Sequence, residues 1–398
     1  MFWIHGGGNY SQASSLAFYD GERLARRGVV LVSADYRLGA FGFFAHPDLT
    51  RESTHQASGN QGILDQIAAL RWVHDNIARF GGDPANVTIF GESAGSLDVS
   101  VLMTSPLAKG LFRRVIAESG AVVGLGDAEM LSQAENRGQT LAATFTLATR
   151  NSLNDLRGVP AADILRVYPA APDHPSNLDV IVDGYVFPKA PAQVFAMGQE
   201  HRVDLMLGSN AREQVPGSTL HNDLRKTIEE TYGPLAPSAL ALYGTDDPIY
   251  GTAPEQWGTD TTFRCGAVAQ LMWHVAARNP AYEYQFARLA PAREALGVMH
   301  GIEVGYVFGT LDTPMPLQGP APHFTAVHEH ISDVIQQYWT NFAKTGNPND
   351  GKLPEWFKFD AASRGYMEFT DTGPVSREGL RRPFCDLYIE NVKRLMTK

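Results

Sequence analysis

Between Val87 and Met103 the chain passes through a short apolar strand, Val87 to Phe90, then Gly91-Glu92-Ser93-Ala94-Gly95, then a helical pattern from Ser96 to Met103. No other stretch limits the possible folds so tightly. A serine with a glycine two residues away on each side, set between a strand and a helix, forms a sharp turn that forces the serine into a strained conformation and presents its hydroxyl at the strand's end. Gly91 and Gly95 leave the strand and helix room to approach. The first two thirds of the chain alternates short apolar runs with helical patterns, which argues for a mostly parallel sheet with helices on its faces. Val29 to Ala34, Val115 to Ala117, Asp204 to Gly208 and Tyr282 to Ala287 read as further strands. Helical patterns lie between or after them at Ala128 to Thr149, Phe263 to Arg278 and Val327 to Lys344. Ile63, Ile67, Leu70, Val73 and Ile77 make one apolar stripe, which Gly81-Gly82-Asp83-Pro84 ends. Two Pro-rich stretches, Val159 to Pro175 and Thr313 to Pro322, read as loops or caps over the sheet edge.

Size and charge narrow the function. With 398 residues, 44% of them hydrophobic, the chain supports one large core, and we expect a single α/β domain over 1–398. The 43 acidic residues against 33 Lys and Arg give a net charge of −10 with no basic stripe, which argues against nucleic acid as a partner. No run of eighteen apolar residues occurs, so no membrane span is expected.

A serine hydroxyl becomes a nucleophile only when a base takes its proton, and the tetrahedral intermediate needs donors aimed at its oxyanion. His5-Gly6-Gly7-Gly8, after a short apolar strand, is the glycine segment that brings backbone N–H groups to such an oxyanion. Gly7 and Gly8, with Ala94, are the expected donors. A phosphate-cradling loop is disfavoured, because no Lys follows and no G-x-G-x-x-G spacing develops. In α/β-hydrolases the acid and then the histidine follow the serine in the chain. By order alone Glu213, Asp246 and Asp247 qualify as the acid. His328 and His330 bracket Glu329, but residues two apart on a helix face different ways, and H-E-x-x-H is absent, so no metal is expected. The chemistry needs no cofactor.

Several further segments follow in order: Trp3 to Gly8, Asp35-Tyr36-Arg37-Leu38-Gly39, Asn60-Gln61-Gly62 through Asp65-Gln66, Phe80 to Pro84, Glu118-Ser119-Gly120, Val182-Asp183-Gly184 and Tyr338 to Pro348. Together with the serine turn they resemble the type B carboxylesterase family, which also contains the cholinesterases, over nearly the whole chain. The resemblance implies an α/β-hydrolase fold and a serine carboxylesterase acting on a small-molecule ester. It places the acid at Glu213 in Leu207 to Glu213 and the base at His300 in Gly297 to Glu303. The family's glycine after the acid is Gln214 here. Glu92 and Glu303 resemble two acidic residues that lie behind the triad in cholinesterases and order buried water, although an ordinary buried polar role fits them equally. Two lone thiols would by themselves more often be reduced core residues. The resemblance instead implies that Cys265 and Cys385 are joined, which favours a secreted or periplasmic location.

The resemblance also implies a further N-terminal segment carrying the first strands of the sheet. A chain that opens on Phe2-Trp3-Ile4-His5 is therefore expected to be a shortened copy of the fold, less soluble and less active than one extended upstream. Two other readings compete. Hormone-sensitive-lipase-like esterases share the glycine segment and the serine turn, but normally use an aspartate and a shorter chain. Cholinesterase-like adhesion proteins have lost the triad, whereas Ser93, Glu213 and His300 are all present here. Trp257, Trp273 and Phe308 are candidate pocket residues, with core positions the commoner fate of such aromatics.

Overall fold

The computed structural model describes residues 1–124, 128–145, 153–167, 180–213, 223–289, 297–314 and 325–397. Gln214, the end of the helical pattern expected to reach Thr149, and the 168–175 and 315–322 portions of the Pro-rich stretches lie outside the described residues. The strands in chain order are β1 (Phe2–Ile4), β2 (Val32–Ser33), β3 (Thr88–Glu92), β4 (Arg114–Glu118), β5 (Glu129–Met130), β6 (Ile181–Val182), β7 (Asp204–Asn210), β8 (Ala281–Phe286), β9 (Gly365–Thr370) and β10 (Gly373–Glu378). Eight of them make the main sheet in the order β10-β9-β8-β7-β4-β3-β1-β2. All neighbours are parallel except the hairpin β9-β10. β5 and β6 pair separately.

A parallel sheet buried on both faces needs strands that are apolar throughout, with alternate side chains feeding two cores. Phe2, Ile4, Ile89, Val115, Ala117, Leu205 and Leu207 enter one core, while Trp3, Phe90, Ile116, Met206, Tyr282 and Tyr284 enter the other. The first core is closed by the helices Gln61–Asn76, Ala94–Leu102 and Cys265–Ala276. Ile63, Ile67, Leu70 and Val73 of the first of these are buried, as their spacing requires, and each contributes roughly 1.5–3 kcal/mol of transfer free energy. The second core is closed by Val304–Phe308 and Ala326–Thr345.

The expected strand Val29 to Ala34 shrinks to Val32–Ser33. Its ladder to β1 holds only two residue pairs, Phe2↔Val32 and Trp3↔Ser33, with Val32 N–H and Val30 O bonded further back to Met1. The helix expected from Phe263 begins at Cys265, because Asp260–Arg264 winds as a π-helical turn before it. Among the described residues no helix is long and apolar enough to cross a membrane.

Candidate active site

Parallel strands bring their C-terminal ends to one edge of the sheet, and the site is assembled there from β1, β3, β7 and the loop after β8. Ser93 follows β3 directly with φ 57 and ψ −119, a conformation that costs about 1–3 kcal/mol and persists only where the surroundings enforce it. Its N–H donates to Glu118 O at the end of β4 at 2.8 Å, and its carbonyl accepts Leu97 N–H at 3.0 Å. A Cβ at Gly95 would lie 2.0 Å from Ile4 O, and one at Gly91 would lie 2.6 Å from both Gly95 O and Ile4 O. Backbone meets backbone here, so glycine is required. The helix therefore starts at Ala94, earlier than the sequence pattern suggested.

The glycine segment leaves β1 with Gly7 at φ +97 and Gly8 at φ +65. Tyr10 and Ser11 N–H close the turn onto Gly7 O at 3.2 and 3.0 Å. Asn9, itself at φ 59, donates through Nδ2 to Asp98 Oδ1 at 3.1 Å, and Gln66 Nε2 donates to Asp98 Oδ2 at 2.5 Å. Burial pushes the Asp98 carboxyl up to about 7, against the pull of those two bonds. The Tyr36 hydroxyl lies 2.9 Å from both His5 O and Asn9 Oδ1. The loop is thus tied to the helix that follows Ser93, and an ideal Cβ on Gly6 would stand 3.2 Å from Ser93 Cβ. Among the described residues no hydrogen bond occupies the N–H of Gly7, Gly8 or Ala94. That of Ala94 belongs to the first helical turn, where N–H groups have no intrahelical acceptor.

Glu213 and His300 are brought together by two loops that bind each other. Arg212 N–H donates to Val298 O at 3.1 Å, His300 N–H to Glu213 O at 3.2 Å, and Asn210 Nδ2 to Met299 O at 3.0 Å. Glu213 is 2% exposed; its Oε1 accepts Asn210 N–H at 2.6 Å, and its Oε2 lies 2.7 Å from His300 Nδ1. His300 Nε2 lies 3.2 Å from Oε1 of Glu92, the residue before Ser93. Asp246 and Asp247 are used elsewhere: Asp246 accepts Ala253 N–H, and Asp247 accepts those of Ile249 and Tyr250.

Carboxyl groups crowd the imidazole. Burial raises the pKa of Glu92 and Glu303, and at Glu303 the charges of Glu92 and Glu213 add to it. Glu303 accepts from Ser119 Oγ at 3.2 Å and from Asn210 Nδ2 at 2.5 Å. At His300 burial works against the imidazolium, but the Glu92 charge, then the Glu213 bond and charge, then Glu303, outweigh it and leave the pKa above that of an ordinary histidine. Another buried acid, Glu118, stands behind them with Trp339 Nε1 at 2.8 Å from its Oε1. Burial, then the Glu303 charge, lift its pKa well above the usual carboxyl range against the pull of the Trp339 bond.

Sequence reasoning missed Asn9, Asp98 and Thr259, and took Glu118 only as part of a matching segment. No local motif marks them, since each acts through a partner far away in the chain. His328 is a capping residue whose Nδ1 lies 2.8 Å from Thr325 Oγ1, while His330 is exposed. Trp257 and Phe308 are buried in apolar clusters, and Trp273 packs half-buried against the first core. Cys265 and Cys385 form a disulfide.

A mostly parallel sheet that presents a strained serine, two glycine turns and a paired acid and histidine at one edge defines an α/β-hydrolase. The model of the carboxylesterase family matches residues 1–233 and 246–388. The chain is 31% identical over 393 residues to "Fumonisin B1 esterase" of Sphingopyxis macrogoltabida, covering 96% of this chain and 71% of that protein. It is 33% identical over 424 residues to "Cholinesterase" of Mus musculus, covering 98% of this chain and 68% of that one. The chain belongs to the carboxylesterase family and is a carboxylic ester hydrolase.

Proposed function

We propose that the protein is a serine carboxylesterase, folded as one domain, that works through an acyl-enzyme. The observation that carries this is the 2.7 Å contact between His300 Nδ1 and the buried Glu213 Oε2, with His300 Nε2 3.2 Å from Glu92, the residue before the strained Ser93. With Nδ1–H donated to Glu213, a neutral His300 has its lone pair on Nε2, the state that accepts the Ser93 proton. Ser93 Oγ then attacks the ester carbonyl while the N–H groups of Gly7, Gly8 and Ala94 take the charge on its oxygen. His300 Nε2–H passes its proton to the departing alkoxide as the carbon–oxygen bond breaks, and the alcohol leaves an acylated serine. Water, losing a proton to the same nitrogen, releases the acid and restores Ser93. Glu213 holds the tautomer and stabilises the imidazolium. Glu92 and Glu303 set the field around the base and do not exchange atoms with substrate. The two relatives are named for different substrates, so what they share is ester cleavage. The disulfide favours an oxidising compartment, secreted or periplasmic.

The test is turnover of p-nitrophenyl acetate and butyrate by wild type and single variants. Ser93→Ala and His300→Ala should each lower kcat by about 1,000-fold or more, with Glu213→Gln the mildest, because the three act as a unit. Full activity in Ser93→Ala, or a crippled Asp246→Asn beside an active Glu213→Gln, would overturn the assignment.

A further inference from the structure

The loop that carries Glu213 is gripped from behind by a group the proposed chemistry leaves unused. Arg264 is 1% exposed, and its Nη2 donates to Ala211 O at 2.6 Å and to Asn210 O at 3.1 Å. These carbonyls stand where the β7-β8 ladder ends, at Asn210↔Phe286, just ahead of Glu213. Nη1 of Arg264 donates to the buried Asp260, whose other oxygen accepts from Arg381 Nη2 at 2.8 Å and from the Tyr243 hydroxyl at 3.2 Å. The Tyr250 ring lies under both guanidinium groups, 4.9 Å from Arg264 and 4.6 Å from Arg381. One residue before Asp260, Thr259 Oγ1 accepts the N–H of Glu213 itself at 3.1 Å. A buried guanidinium is costly to desolvate, and here both Nη groups are engaged, Nη1 by the Asp260 carboxylate and Nη2 by the two carbonyls just ahead of Glu213, while Nε has no partner among the described residues.

Local structure explains the reach. Asp260–Arg264 forms a π-helical turn between the helices Ala253–Thr259 and Cys265–Ala276, and such single wide turns re-aim side chains at functional sites. The next residue, Cys265, is bridged to Cys385, whose N–H donates to Arg381 O at 3.0 Å. The disulfide therefore joins the two segments that supply both arginines of Asp260.

We propose that Arg264 is a positioning residue for Glu213, fixing the end of β7 so that Oε2 meets His300 Nδ1, with Asp260 and the Cys265–Cys385 bridge holding Arg264 in place. This rests on Glu213 being the acid. The charged and titratable groups facing Arg264 are Asp260 on its own turn, Tyr250 and Tyr243 from the neighbouring loop and helix, Glu213 beyond β7, Glu283 on β8 and Arg381 across Asp260. The Glu213 charge is among those that help keep the guanidinium charged. Removing the cation leaves the pocket more negative, so the imidazolium at His300 survives to higher pH.

The experiment compares Arg264→Gln and Arg264→Lys with wild type on p-nitrophenyl butyrate from about pH 5 to about pH 11, with rates corrected for uncatalysed hydrolysis and normalised to sites labelled by a fluorophosphonate. Arg264→Gln should lose about 100-fold in kcat with KM within twofold, and its kcat/KM midpoint should move to higher pH. Arg264→Lys keeps the charge but not the two-carbonyl grip. It should lose about tenfold in kcat with an unmoved midpoint, and it carries the test if the Gln variant does not fold. Arg114→Gln removes another buried arginine, at the opposite end of the sheet, where it holds Ala343 O. That change should lower thermal stability yet leave kcat and the midpoint unchanged. A kcat within threefold of wild type in Arg264→Lys, or an unmoved midpoint in a folded Arg264→Gln, would overturn the proposal. Failure of wild type to cleave the ester would instead overturn the reading of the protein as a serine esterase.

Discussion

Gly95→Ala probes whether the proposed oxyanion donors and the proposed nucleophile depend on one tight contact. The added Cβ would sit 2.0 Å from Ile4 O, 2.8 Å from Ile4 C and 3.1 Å from His5 C. Real Cβ atoms do not approach within 3.0 Å, so β1 and the helix Ala94–Leu102 must part by about 1 Å. Both sides are backbone, and no rotamer change relieves the overlap. Overpacking of this kind costs about 1–3 kcal/mol, with this site at the upper end. The catalytic loss is larger than the structural one. Gly7 and Gly8 leave β1 three and four residues after Ile4, while Ala94 is on the helix, so parting the two separates the donors from each other. Donors work within about 2.7–3.1 Å of the oxyanion, and losing one costs about 100- to 1,000-fold in kcat. Gly95→Ala should therefore fall by that factor in kcat on p-nitrophenyl butyrate, with KM changed less than threefold and a lowered melting temperature. Gly81→Ala is the control, because φ is +83 there but no atom lies within 4 Å of the added Cβ. It should cost about 1 kcal/mol of stability and no activity. A Gly95→Ala enzyme within threefold of wild type would refute the contact as the basis of the oxyanion geometry.

Two further changes test the electrostatics and the covalent tie. His300 must be deprotonated to act as a base and its pKa is raised, so activity should climb with pH through a midpoint above the ordinary histidine value. Glu92→Gln removes the largest charge raising it, and the kcat/KM midpoint should move to lower pH; an unmoved midpoint would count against Glu92 as a source of the field. Replacing Cys265 and Cys385 by Ala opens a loop with a sequence separation of 120, which the chain-entropy model values at about 4–5 kcal/mol. Thermal unfolding should show a lower midpoint that reductant no longer affects, whereas wild type should lose stability on reduction.

What could be read in the sequence was what local rules dictate. The turn at Ser93 announces itself because strand, paired glycines and helix are contiguous, and the stripe Ile63 to Val73 because one face of one helix is buried. Val29 to Ala34 has strand composition, but only Val32 and Ser33 find ladder partners on β1, and composition does not report how many partners a neighbour offers. The pairing of Glu213 with His300 required the family resemblance, since chain order alone left Asp246 and Asp247 in play. The supporting groups were out of reach. Arg264 meets carbonyls 53 and 54 positions earlier in the chain, and Trp339 meets Glu118 across 221. Such contacts depend on which strands become neighbours, and no periodicity or spacing encodes that.

If turnover passes through an ester of Ser93, mass spectrometry of the trapped enzyme detects that ester. Incubation with a fluorophosphonate, or rapid acid quench during p-nitrophenyl acetate hydrolysis, should add one group per chain. Peptide mapping should place it on Ser93 in Gly91-Glu92-Ser93-Ala94-Gly95. Ser93→Ala should take up none, and His300→Ala should acquire it at least about 1,000-fold more slowly. Continued hydrolysis by a protein that carries no adduct on Ser93, or an adduct on another residue that accounts for the full rate, would rule out an acyl-enzyme at Ser93.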